Sequence, residues 1–168
     1  MGQGIIYPHI AAGHTAVPFD LRERPREHDA EQYDRHSRYS LFLQPVRRVR
    51  LVCKNFPWTV EVKDEWVFCA RVWDAIYNAL QKPIKRSEWA LIAHDERKMS
   101  EIKRARDKRL ERNPEDDQCP KRIDWLGEMT LFRGLERDEA FAKKILLPGK
   151  EENVETCVIR LDSHWPRP

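Results

Sequence analysis

From Val46 to Cys53 apolar and basic residues alternate, with Val49 and Leu51 on one side and Arg48 and Arg50 on the other. That is the period of a half-buried strand. Asn55, Phe56 and Pro57 supply a turn, after which Trp58, Val60 and Val62 alternate with Thr59, Glu61 and Lys63 in a second strand, most simply an antiparallel pair. The period changes from Val67. Cys69, Val72, Trp73, Ile76, Ala79 and Leu80 form the apolar stripe of a helix that ends before Pro83. Ser87 is the expected N-cap of a second helix, apolar at Trp89, Ile92 and Ala93 and thinly so at Met99, Ile102 and Leu110, until Asn113 and Pro114 stop it.

A loop with three consecutive acids, Glu115 to Asp117, leads to Ile123, Trp125 and Leu126, read as a short strand broken by Gly127. Leu131, Phe132 and Leu135 around Gly134 form an apolar knot, and residues 138–147 read as a short helix stopped by Pro148 and Gly149. Val154 to Leu161 is a closing strand with apolar residues on both faces, hence internal to its sheet. No internal repeat stands out. The element order predicts an α+β fold: one domain over residues 40–162, with a small, mostly antiparallel sheet covered on one face by two helices. Residues 163–168 read as a tail. Residues 1–39 read as an extended or partly disordered arm, because residues 20–38 hold five Arg and six acids against Leu21, Ala30 and Tyr33. Few anchors offset the entropy of ordering it, so the arm is expected to add little stability.

A chain of 168 residues forms one domain with its own core, and six Trp, six Phe and four Tyr set it apart from disordered chains of similar charge. No apolar run reaches the roughly 18 residues of a spanning helix, so no membrane is expected among its partners. The first 19 residues lack charge but also lack the basic start and unbroken apolar run of a signal peptide, and Ile6 spoils a myristoylation motif at Gly2. An intracellular location, cytoplasmic or nuclear, is expected. Cys53, Cys69, Cys119 and Cys157 show neither a CxxC nor zinc-ligand spacing and read as buried free thiols.

Five segments in order, VPFDLRERP at 17–25, VRLV with PWTVEV across 49–62, VWDAIYNAL at 72–80, RIDWLG at 122–127 and FRGL at 132–135, carry a resemblance. The chain resembles an uncharacterised fungal domain family, found mainly in basidiomycetes. It departs from that pattern where members place Thr at the start of the first helix, since Phe68 stands there and leaves Asp64 to serve as the cap. The resemblance implies a fold and a fungal origin. It implies no activity, cofactor or catalytic residue.

The chemistry on offer is mostly basic. Residues 97–112 hold eight Lys or Arg against three acids, although the whole chain carries only +3. Arg97, Lys103, Arg104, Lys108 and Arg109 are the candidate phosphate contacts, joined by Arg47, Arg48, Arg50 and Lys54 if these share a face with the helix. The competing reading is a solvated helix with ion pairs such as Arg97 to Glu101 and Lys103 to Asp107. Cys69 with His94 is the one candidate thiol and base pair. His94, Asp95 and Glu96 radiate around a helix and cannot converge, so no metal site is expected, and no cofactor motif is present. Asp124 is the acid expected to be buried, paired with Arg122 or Arg71. Trp66 and Trp165, in or near irregular segments, are candidate anchors for a protein partner. The expected function is a non-enzymatic binding or scaffolding module with another protein as partner. A nucleic-acid-binding module and a small hydrolase with an unrecognised site are the alternatives.

Overall fold

The computed structural model describes residues 4–13, 18–145 and 154–163. Residues 164–168 of the expected tail, Trp165 among them, and the helix stop at Pro148 and Gly149 lie outside the described residues. The elements in chain order are β1 (Phe19–Asp20), α1 (Pro25–His28), α2 (Ala30–His36), β2 (Arg48–Cys53), β3 (Phe56–Lys63) and α3 (Cys69–Leu80). There follow α4 (Arg86–Leu91), α5 (Glu96–Arg112), α6 (Arg122–Trp125), β4 (Leu131–Glu136), α7 (Glu139–Ile145) and β5 (Glu155–Asp162). The fold is α+β, on one five-stranded sheet of order β1-β4-β5-β2-β3. Every pairing is antiparallel except that of β2 with β5.

β2 and β3 form the expected pair, with Val49 opposite Val62 and Leu51 opposite Val60. These four residues and Trp58 enter the core, while Arg48 and Arg50 on the outer face pair with Glu61 at 3.1 and 3.3 Å. The apolar stripe of α3, from Val72 and Trp73 to Ile76 and Leu80, packs on the inner face. β5 lies in the middle of the sheet, as its doubly apolar pattern requires, with Cys157, Val158 and Ile159 all buried.

Four expectations need correction. The helix expected from Ser87 to Asn113 is two helices, because Asp95 accepts a hydrogen bond from the Lys98 N–H and so starts α5 afresh, and Ser87 lies inside α4. RIDWLG is helical, not extended, and Leu131 to Glu136 is a strand. The N-cap position of α3 is Phe68 without a side-chain cap, Asp64 instead receiving Arg71 at 2.8 Å. Finally, the described parts of the N-terminal arm, 4–13 and 18–39, carry packed residues: Ile10, Phe19 and Leu21 are fully or almost fully buried, and Phe19 pairs with Phe132 across β1 and β4. Its few anchors are enough because each fills the core, Phe19 lying edge-on to Trp73 with ring centroids 6.3 Å apart.

Candidate functional site

Two short helices use the same local device. At the start of α4 the Glu88 carboxylate accepts from the Lys85 N–H at 2.8 Å, and at the start of α6 the Asp124 carboxylate accepts from the Lys121 N–H at 2.8 Å. Each acid therefore satisfies a donor that the helix leaves free. The sequence carries a trace of this, since Lys-Arg-Ser-Glu-Trp at 85–89 and Lys-Arg-Ile-Asp-Trp at 121–125 share one five-residue pattern. The backbone joins the two copies: Ile84 N–H donates to the Pro120 carbonyl at 3.1 Å and Arg122 N–H to the Lys82 carbonyl at 2.9 Å.

Both acids also take a cation. Glu88 forms a buried ion pair with Arg122, whose guanidinium lies 4.7 Å from the centre of the Trp58 ring. Asp124, with a side chain 2% exposed, accepts from Arg109 Nε at 3.0 Å and Nη2 at 2.9 Å. Neither Arg122 nor Arg71 is its partner. The Arg109 guanidinium further donates to Asp116 at 2.9 Å and to the carbonyls of Asp117 and Cys119 at 2.8 and 3.0 Å. It thus ties the last turn of α5 to the acidic loop and to α6. Burial raises the pKa of Asp116, but hydrogen bonds from Lys121, the Asp117 N–H and Arg109 outweigh it and hold the carboxyl down to about 2.

This clasp forms one wall of a cleft of about 510 Å3. The opposite wall comes from α3 and the residues after β1, where Asp20 holds Arg22; burial opposes ionisation of Asp20, but the Arg22 hydrogen bonds keep its pKa low. Five acids and five cations line the cleft, and contact pairing leaves little over. Arg22 goes to Asp20, Arg109 and Lys121 to Asp116 and Asp124, Lys108 to Glu128, and Glu23 turns to His28. Arg112 remains without a contact ion pair among the described residues. It shares the cleft with Tyr77, Gln81 and Asn113, whose side chains make no hydrogen bond to any described residue. Burial, against the nearby Arg24 and with Glu27 and Asp116, raises the Tyr77 pKa and keeps its phenol a donor. Four hydrogen-bonding side chains therefore converge on one cleft with capacity to spare.

The structure scatters the residues singled out as phosphate contacts. Arg97 is 89% exposed and pairs with Glu101 at 3.3 Å, as expected, while Asp107 receives Arg106 at 2.7 Å. Lys103 and Arg104 are exposed beside Ser100 on the outer side of α5, Lys108 reaches Glu128 at 2.8 Å, and Arg109 is committed to the clasp. The basic positions of β2 do not join them, because Arg48 and Arg50 leave the outer face of the sheet whereas α5 packs on α6 on the core side. Lys54 is bound to Asp138 at 2.8 Å. Trp66 is 51% exposed, edge-on to Phe68. Cys69 is buried in the stripe of α3 and His94 is exposed before α5, so the supposed pair is not assembled. Cys119 is exposed, against expectation, because it sits in the loop that Arg109 gathers; Cys53, Cys69 and Cys157 are buried, and all four thiols are free.

No helix among the described residues is long and apolar enough to cross a membrane. No curated protein and no solved structure matches the chain. A family model does match residues 17–142, from the segment that carries β1 through most of α7, and it spans both walls of the cleft: the chain belongs to the Family of unknown function (DUF6699).

Proposed function

We propose that the chain is a non-enzymatic binding module of the cytoplasm or nucleus of a fungal cell, and that its cleft receives a short extended segment of a partner protein. One observation carries this reading: Tyr77, Gln81, Arg112 and Asn113 line the cleft with no side-chain hydrogen bond to any described residue, amid charges already neutralised in pairs. Such groups suit the carbonyls and polar side chains of an extended peptide, which bring acceptors at close spacing. The titratable groups favour binding over catalysis. Asp20, Asp116, Asp124 and Glu128 of the cleft are committed to cations, and burial pushes the thiols of Cys53 to about 11 and of Cys69 and Cys157 to about 12, so none of these three supplies a thiolate near neutral pH. The fungal setting rests on the resemblance of the five segments above.

Selection of displayed peptides against the whole chain, followed by calorimetric titration, tests this. Arg112→Glu and Gln81→Ala should each weaken an enriched peptide by about tenfold or more, the worth of a hydrogen bond to a charged or well-placed group. Peptides that bind both variants as tightly as the parent would reject the cleft. A second reading, nucleic-acid binding, draws on the exposed Arg97, Lys103 and Arg104 of α5. It is the weaker one, since Lys108 and Arg109 already have partners.

A further inference from the structure

Residues 4–13 are held to the domain in two backbone-paired pieces. Tyr7 N–H donates to the Leu41 carbonyl at 2.8 Å and Leu43 N–H to the Ile5 carbonyl at 3.1 Å. Farther on, Ala12 N–H donates to the Leu135 carbonyl at 2.7 Å and Leu135 N–H to the Ile10 carbonyl at 2.8 Å. Between the two pieces stands a column of rings. Tyr7 stacks on Tyr39 with centroids 4.7 Å apart, and His9 stacks on His36 at 4.4 Å. His36 is only 6% exposed, and its Nδ1 is buried without a hydrogen-bond partner among the described residues.

The geometry points to the His9 and His36 pair as a proton-sensitive latch, which holds residues 4–13 on the domain while the His36 imidazole is neutral and loosens them when it is protonated. An imidazolium at His36 would bring a new N–H with no acceptor, in a buried place. Its neighbours offer no compensation: His9 from the N-terminal segment, Arg35 beside it on α2, and the Tyr39 ring 5.9 Å away. Cys69 at the start of α3, whose N–H donates to the Tyr39 carbonyl, carries a thiol that burial keeps neutral. Burial first, then His9 and Arg35, lower the pKa of His36. The sign follows, since a group that binds its proton more weakly when folded contributes stability that is present above its unfolded value of roughly 6.5 and lost as pH falls through the folded value. Release takes Ile10 out of the core and bares Phe42 and Leu135, all three buried while the segment is docked.

Amide hydrogen exchange on the whole chain tests the latch, with protection factors corrected for intrinsic rates at about pH 7.5 and about pH 5.5. The Ala12 and Leu135 amides should lose protection by about fivefold or more at the lower pH, given a tenfold change per pH unit between the two pKa values. The amides of β2 and β3 should not. His36→Phe keeps a ring in the stack and should abolish the loss. Equal protection at both pH values, or the same loss in the variant, overturns the proposal. Should the variant fail to fold, the wild-type imidazole decides by NMR titration: a midpoint below that of free histidine upholds the latch, and one at or above it overturns the latch.

Discussion

Arg109 and Arg122 show why burial of a charged side chain was visible in the sequence while its partner was not. The apolar neighbours Ile123 and Trp125 marked Asp124 as an acid in the interior, but the choice of cation depended on whether residues 122–125 were a strand or a helix turn. As a helix turn the segment brings Asp124 to the last turn of α5 and Arg122 to Glu88. No local pattern encodes that meeting, since Glu88 and Arg122 are 34 residues apart. The pair should obey the asymmetry of buried charges: removing one member strands the other, whereas removing both removes the desolvation cost as well. Arg122→Met is therefore expected to lower unfolding stability by about 3–5 kcal/mol, and Glu88→Leu with Arg122→Met to lower it by clearly less than the sum of the single changes. Urea unfolding of the two single variants and the double variant measures the coupling, and strict additivity would show that the pair does not act as a unit.

Elements with a complete local period were legible and those that borrow their order from elsewhere were not. β2, β3 and α3 each carry a full stripe of apolar residues, so alternation or a 3.6 spacing sufficed to place them. β1 has two residues, and its pairing with Leu131 and Phe132 spans more than half the chain. The same holds for residues 4–13, where Pro8, His9 and Gly13 break any apolar period and so concealed one fully buried Ile10 and a set of backbone hydrogen bonds to distant segments. That reverses the expectation for truncation. Deleting residues 1–13 removes Ile10 from the core and uncovers Phe42 and Leu135, so the chain should lose at least about 2 kcal/mol. Differential scanning calorimetry should then show a fall in Tm of at least about 4–8 °C for a domain of this size. A deletion variant that melts with the parent would mean that the segment is docked without contributing to stability.

On the scale of the whole molecule, β5 explains how one sheet gathers a chain whose strands are dispersed: it joins β2 in parallel and β4 antiparallel, so the first hairpin and the last third of the chain close around it. Its central place was legible from its two apolar faces, whereas its parallel partner was not, because Leu51 and Cys157 are separated in the chain by the helices α3 to α7 and by two other strands. The same closure places α5 on the core side and the cations of β2 on the outer face, which divides the positive charge. A polyanion needs several cations in one field, and a net charge of +3 supplies little at long range. Replacing Arg97, Lys103 and Arg104 by Glu should therefore leave the fold intact, each change costing no more than about 0.5 kcal/mol, since these side chains are exposed. Arg109→Glu should instead unfold the chain or destabilise it severely, as it sets a third carboxylate against Asp116 and Asp124. Fluorescence anisotropy with single- and double-stranded oligonucleotides at about 0.15 M salt should show no binding for the parent chain. Micromolar binding that weakens steeply with salt and disappears in the triple variant would transfer the function from the cleft to the outer side of α5, because those three cations are exposed there and lie outside the clasp.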